Sequence, residues 1–194
     1  MKQQFKTHTL THIKTRNNIL RVWEICSDEE KNDWYSDANR FAVLHGNGEV
    51  SKMCGYISAL SPLKTWEQNK RLALDYINGL QVGHFGSFVR KCDMIKQSNG
   101  TDEEILAILN GNKTQSFYLN IRHPHKGDNV TIDRHAISIA MGYTVEDSYL
   151  RGITDNQYSF FVACYRMSAD KVDVSPTLMQ SATWQKWRKI KRVK

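Results

Sequence analysis

Apolar residues recur along this chain at the three- and four-residue spacing that is typical of amphipathic helices. Ile105, Leu106 and Leu109 show this spacing most clearly, and the segments 49–60 and 87–97 follow it as well. Strand patterns are nearly absent, and the run 130–132 is the best short extended piece. The pattern predicts about ten helices and therefore an all-α fold, a compact multi-helix globular domain.

Polar residues flank these apolar segments where helices are expected to begin. A hydroxyl residue followed three positions later by Glu or Gln forms a capping box, in which each side chain bonds the other residue's backbone N–H. The helices predicted in this way begin after Ser27, Thr65 and Thr101 and end near Gly46, Gly79 and Gly111. One more is expected to begin at Thr154, and Ser175 followed by Pro176 fits an N-cap with proline at the first helical position.

The composition favours one folded domain over residues 1–194. Hydrophobic residues make up 40% of the chain, which is enough for a core, and only three prolines occur. The four cysteines are scattered without the spacing of zinc or iron–sulfur sites, so we expect them to be reduced core residues. His123 and His125 in one loop are too weak a pattern to predict a metal site, and no cofactor is expected.

The sequence gives no sign of a membrane segment. No stretch reaches the roughly 20 apolar residues that a membrane-spanning helix needs. Residues 1–18 also lack the apolar centre of a signal peptide. We therefore expect a cytoplasmic protein, in the host cytoplasm if the gene is carried by a phage, that is a monomer without a membrane partner.

Positive charge is concentrated at the end of the chain. The net charge is +7, and the tail 186–194 holds six basic residues in nine. Such a cluster suits a polyanion, because each neutralised phosphate releases counterions, although a solubilising tail is the alternative. Trp184 and Trp187 lie three positions apart and so share one face of the expected closing helix.

Residues 103–122 predict two helices joined by a tight turn at 110–112. Asn and Gly suit the left-handed backbone that such a turn requires. The start of the second helix offers unpaired N–H groups and the positive end of the helix dipole, to which Lys113 and Thr114 add a charge and a hydroxyl. The turn is therefore a candidate phosphate site, although most glycine-containing helix turns are plain connections.

A second motif, VTIDRHA, follows the hairpin at residues 130–136. The two motifs together resemble the helix-hairpin-helix DNA glycosylase superfamily, which includes the endonuclease III-like enzymes. In that superfamily a hairpin L-P-G-V-G-x-K-T-A precedes a short extended piece, V-D-T-H, that carries the catalytic aspartate. The matching residues here are Leu109, Gly111, Lys113 and Thr114 in the hairpin, and Ile132, Asp133 and His135 in the second motif.

The resemblance covers most of the chain. Residues 57–66, ISALSPLKTW, are similar to the superfamily stretch that opens a helix facing the DNA and the base pocket. A closer resemblance is to small uncharacterised phage and bacterial members, with matches at 59–69, 111–121, 130–136 and 180–188. The hairpin departs from the superfamily pattern because it lacks the proline and the first glycine.

The resemblance implies that DNA is the partner and that an N-glycosidic bond is cleaved. Asp133 falls on the catalytic position, where a carboxylate stabilises positive charge on the sugar; a plain N-cap is its alternative role. Lys113 falls on the nucleophile position of the bifunctional branch, where a neutral amine attacks C1′; a phosphate contact is its alternative role. We expect both groups to face one sugar–phosphate cleft.

Further residues are assigned from the same motifs. DNA contacts are expected from Asn110, Gly111, Asn112, Thr114, Arg134, His135 and Lys64. Because duplex bases must leave the stack before they can react, a base pocket is also expected. Its candidate residues are Ser61, Trp66, Asn69 and Tyr56. Core packing is the alternative role for the aromatic residues, and a structural hydrogen bond is the alternative for His135.

Three functions follow from these observations. The first is a DNA glycosylase, with or without lyase activity at the abasic site, that excises a damaged or modified base. The second is a non-catalytic DNA-binding module on the same fold, favoured by the altered hairpin and the small size. The third is a phage enzyme of DNA base hypermodification, which is suggested by fold analogy alone.

Overall fold

The computed structural model describes residues 11–32, 34–146 and 153–191, and ten α-helices account for most of them. No strand occurs in these ranges, so the prediction of an all-α fold with about ten helices is confirmed. The helices are α1 (His12–Glu24), α2 (Trp34–His45), α3 (Val50–Leu60), α4 (Trp66–Ile77), α5 (Gly86–Gln97), α6 (Asp102–Leu109), α7 (Asn112–Arg122), α8 (Arg134–Met141), α9 (Asp155–Lys171) and α10 (Pro176–Lys191).

Most helix starts lie where the capping residues predict them. Thr65 and Thr154 form complete capping boxes with Gln68 and Gln157 at the starts of α4 and α9. The Thr101 hydroxyl accepts the backbone N–H of the third residue of α6 at 3.3 Å. These hydroxyl groups satisfy N–H groups that have no partner inside the helix, which explains why the local sequence decides the boundary.

The helix predicted from Ser27 to Gly46 is wrong in its first part. Ser27 and Glu30 exchange both hydrogen bonds of a capping box, at 2.8 and 3.3 Å, but the turn that they close is not continued as a helix, and α2 begins only at Trp34. The Glu30 carboxylate also pairs with Lys186 and Lys189 of α10. Tertiary ion pairs therefore hold this single turn, which the local motif alone cannot reveal.

The chain divides into two compact units. The terminal unit comprises residues 1–34 and 126–194, and the central unit comprises 35–125. In the terminal unit, α1 packs against α8, α9 and α10. Its core includes Ile19, Ile137, Phe161, Tyr165 and Met179, each at most 1% exposed. This unit carries the predicted catalytic aspartate.

The central unit is built around α3, which packs against α4, α5, α6 and α7. Every residue from Met53 to Leu60 is buried, so this part of the helix is enclosed on all sides. Gly55 permits the close packing, because a Cβ there would lie 3.1 Å from Ile95 and 3.2 Å from Ile105. The unit carries the hairpin and the predicted base-pocket residues.

All four cysteines are buried and free, as the sequence predicts. Burial raises the pKa of Cys54, Cys92 and Cys164 to about 12, because a thiolate is poorly solvated in an apolar interior. None of the described helices is both long enough and apolar enough to cross a bilayer.

Candidate functional site

The segment leading to Asp133 is fixed by a tyrosine. Residues 127–133 have no regular secondary structure, but Val130 and Ile132 are 2% and 3% exposed. The Tyr158 hydroxyl donates to the Val130 carbonyl at 3.0 Å and accepts the Ile132 N–H at 3.2 Å. A side chain of α9 thus satisfies the backbone groups that a strand partner would otherwise bond, and it fixes the approach to α8.

Asp133 is the N-cap of α8, and both of its carboxylate oxygens accept a hydrogen bond. Oδ1 accepts the backbone N–H of Ala136 at 2.8 Å, and Oδ2 accepts the indole Nε1–H of Trp184 at 2.9 Å. The side chain is half-buried. Two donors that approach different oxygens orient the carboxylate plane.

Trp184 is surrounded by aromatic and basic side chains of the terminal unit. The Arg188 guanidinium lies 4.6 Å from its ring centroid, in cation–π geometry. The rings of His135 and Trp34 lie 6.2 and 5.9 Å away, the former edge-on. We call Asp133, His135, Trp184, Arg188 and Trp34 the Trp184 cluster. It places an ordered carboxylate among cationic and aromatic groups.

The basic helix α10 is partly neutralised within the protein. Glu30 is only 2% exposed, and its carboxylate lies 3.4 Å from the Lys186 ammonium and 3.1 Å from that of Lys189. Burial alone would raise the pKa of Glu30, but hydrogen bonds from the Ser27 N–H and the Lys189 ammonium hold it below its ordinary value. Two of the tail's charges are thus used to compensate a buried acid. Residues 192–194 lie outside the described residues.

The central unit contains the predicted hairpin. Helix α6 ends at Leu109, as predicted, and α7 begins at Asn112, a residue that the sequence assigns to the turn. Asn110 supplies the left-handed conformation with φ 45° and ψ 60°, whereas Gly111 is extended at φ 176°. No side chain caps the start of α7 at Gly111. The left-handed residue of the turn is therefore Asn110, and the backbone of Gly111 is one that any residue can adopt.

Lysine and threonine side chains lie close to this turn. Lys113 and Thr114 are half-buried in the first turn of α7, and the Thr114 hydroxyl donates to the Gly111 carbonyl at 3.0 Å. The ammonium of Lys91 on α5 donates to the Leu109 carbonyl, and burial lowers the pKa of Lys91. Lys91 therefore stabilises the end of α6, a role that the hairpin motif does not predict.

The predicted base-pocket residues belong to α3 and α4. Tyr56 is 6% exposed and packs on Tyr76 with ring centroids 4.9 Å apart. Trp66 is half-buried, with Lys70 at 5.6 Å from its ring. Asn69 is 2% exposed, and its Oδ1 atom is buried without a hydrogen-bond partner. The hydroxyl of Ser61 donates to the Ser58 carbonyl at 3.0 Å. Tyr56 is therefore a packing residue of the core. Asn69 keeps one buried acceptor without a hydrogen bond.

The remaining predicted residues divide between the two units. Arg134 and His135 are half-buried in the first turn of α8, next to Asp133. Lys64 lies in the central unit, with its ammonium 3.5 Å from the Gly83 carbonyl. Lys113 also belongs to the central unit and Asp133 to the terminal unit, so their common cleft stays a prediction.

A carboxylate–histidine pair closes the open end of the hairpin. Asp102, the first residue of α6, accepts a hydrogen bond from Tyr118 at 2.6 Å, and its other oxygen lies 2.6 Å from His123 Nε2. His123 is thus engaged with an acid of the hairpin. Among the described residues, no group of three or more His, Cys, Asp or Glu side chains could hold a metal ion.

Comparison with known proteins places the chain in a family. Residues 1–191 match DUF7178, described as a family of unknown function. The chain belongs to this family. Comparisons with curated proteins and with solved structures give no match.

Sequence reasoning missed several contacts in this family member. It assigned the basic tail to a polyanion or to solvent and gave Trp184 no partner, whereas Trp184 bonds Asp133 and two of the lysines pair with Glu30. Asp133 and Trp184 lie 51 positions apart. The one available signal was that 130–136 and 180–188 both belong to the resemblance described in the sequence analysis.

Proposed function

We propose that this protein binds DNA and excises a damaged or modified base, with Asp133 as the catalytic carboxylate. The observation that carries the proposal is the geometry of Asp133, which is held at the start of α8 by donors from two helices. A carboxylate fixed in this way does not need to reorganise when positive charge develops beside it.

The reaction balances with water as the only co-reactant. The bond between sugar C1′ and the base nitrogen breaks, and its electron pair leaves with the base. The sugar gains oxocarbenium character, which the negative charge of Asp133 stabilises. Water then adds to C1′, and the proton that it releases restores neutrality on the departing base.

Basic groups of both units support DNA as the partner. The net charge is +7, and the Arg188 guanidinium of α10 lies 4.6 Å from the ring centroid of Trp184, beside Asp133. In the central unit, Lys113 stands in the first turn of α7, where backbone N–H groups and the helix dipole favour an anion. These features suit phosphates, and we expect the affinity for DNA to fall steeply with salt.

The test is base release from duplexes that each carry one damaged or modified base. We expect the wild type to release at least one base and Asp133→Asn to lose at least about a hundredfold in rate, because the charge is removed while the cap geometry is kept. Asp128→Asn is the matched control, since Asp128 is an exposed residue of the same segment. Equal rates for wild type and Asp133→Asn would contradict the role of this carboxylate.

The same proteins and duplexes distinguish attack on C1′ by Lys113 from attack by water. If Lys113 attacks C1′, borohydride traps a covalent protein–DNA adduct that Lys113→Ala abolishes and Lys126→Ala, an exposed control, retains. Base release without an adduct assigns the hydrolytic reaction and leaves Lys113 a phosphate contact.

A non-catalytic DNA-binding module is the second candidate. It is favoured by the two hydrogen bonds to Asp133, which a purely structural N-cap linking α8 to α10 would also make. Salt-dependent DNA binding without release of any base from the whole panel would establish this alternative.

A further inference from the structure

We propose that Trp184 is a positioning residue for the Asp133 carboxylate, acting through its indole N–H. The inference rests on the proposed function and adds to it a residue that the motif comparison does not assign. It starts from the 2.9 Å hydrogen bond between Trp184 Nε1 and Asp133 Oδ2.

The two donors to Asp133 have different consequences. The Ala136 N–H at 2.8 Å belongs to the same helix end and is what any aspartate N-cap would use. A single donor leaves the carboxylate free to rotate about that bond. The Trp184 N–H engages the second oxygen from α10, so the plane of the carboxylate is set by two helices that are distant in sequence.

The indole is itself held in place from several sides. The Arg188 guanidinium stacks on it at 4.6 Å, one helical turn further along α10. His135 meets the ring edge-on at 6.2 Å, and Trp34 lies 5.9 Å away. An orienting group is effective only when its own rotamer is fixed, and these contacts fix it.

A plain packing role does not explain this choice of residue. A tryptophan that serves only the core would bury its ring, as Trp187 does at 7% exposure. Trp184 is instead half-buried and directs its only donor to an acid. A hydrogen bond to an ionised acceptor is about twice as strong as one between neutral groups, so this contact contributes orientation as well as packing.

The experiment compares Trp184→Phe with Trp187→Phe on the full chain. Both variants exchange indole for phenyl on the same helix, but only the first removes a donor to Asp133. Using the duplex that the wild type processes best, we expect Trp184→Phe to lower kcat about tenfold or more with KM unchanged. Trp187→Phe should leave both constants near the wild-type values.

An NMR measurement tests the hydrogen bond without any activity. We expect the indole N–H resonance of Trp184 to move when Asp133 is changed to Asn, and that of Trp187 to stay where it is. An unmoved Trp184 resonance overturns the inference, as does base release by Trp184→Phe with an unchanged kcat. If the wild type releases no base, the proposed function is overturned and this inference with it. The two outcomes above overturn the inference alone, because the wild type is then still active.

Discussion

The Asp102 carboxylate links the start of α6 to the end of α7 through Tyr118 and His123. Burial alone would raise the pKa of this carboxyl, but the hydrogen bonds from Tyr118 and His123 hold it below its ordinary value. A carboxylate whose pKa is depressed by folding stabilises the folded state above its unfolded-state pKa. That stabilisation is lost as the pH falls through the folded-state value.

We therefore expect Asp102→Asn to lower the free energy of unfolding by about 2 kcal/mol near neutral pH. The difference from wild type should shrink as the pH falls from about 4, the unfolded-state pKa of an aspartate, through the lower folded-state pKa of Asp102. Thermal unfolding of both proteins at a series of pH values from 7 downward measures this difference. Glu103→Gln is the control, because Glu103 is an exposed neighbour on the same helix. A difference that is equal at neutral and acid pH would contradict the assignment of the effect to the ionised carboxylate.

For single residues, the sequence predicts hydrogen bonds to near neighbours but not those to residues far away in the chain. Asp133 at the start of a helix could be predicted, because an N-cap bonds a residue three positions away. Its bond to Trp184 depends on how α10 packs, and no local pattern contains that information. The same holds for Glu30, whose spacing from Ser27 predicts a cap but not the lysines that surround it.

Among the helices, the hairpin depends on the conformation of one residue. Asn110 has φ 45°, in the left-handed region that asparagine tolerates better than other residues with a Cβ. A β-branched side chain is disfavoured there. The Asn110 side chain is exposed, so a substitution changes the backbone preference with little loss of packing.

We expect Asn110→Val to lower the free energy of unfolding by about 1–2 kcal/mol and Asn110→Gly to leave it unchanged or raise it slightly. Urea unfolding of the two variants and the wild type measures the difference. Equal stability of the valine and glycine variants would show that the turn does not impose this conformation in solution.

Helix boundaries were predictable where side chains close their own caps. The starts of α4 and α9 follow from complete capping boxes, and the turn between α6 and α7 follows from its Asn-Gly-Asn sequence. The error at Ser27 arose because the same box can end after one turn when its acid is held by another helix. Local chemistry sets the caps, and tertiary contacts decide how far a helix continues.

For the whole molecule, composition and periodicity predicted the all-α fold and the buried cysteines. They did not predict the division into a terminal and a central unit. That division assembles the terminal unit from both ends of the chain, and such long-range pairing leaves no mark in the local apolar pattern. The proposed function requires that DNA reach Asp133, and therefore the Trp184 cluster of this unit.

Indole NMR spectra of the full chain show whether bound DNA reaches this cluster. The five tryptophans give five indole N–H resonances, which single Trp→Phe variants assign. The probe is a duplex with an abasic-site analogue, added until binding is saturated. We predict that the Trp184 resonance shifts while that of Trp23, a core residue of the same unit at 9% exposure, does not. A Trp184 resonance that stays in place at saturating DNA, or the absence of any binding, would rule out DNA contact at this cluster.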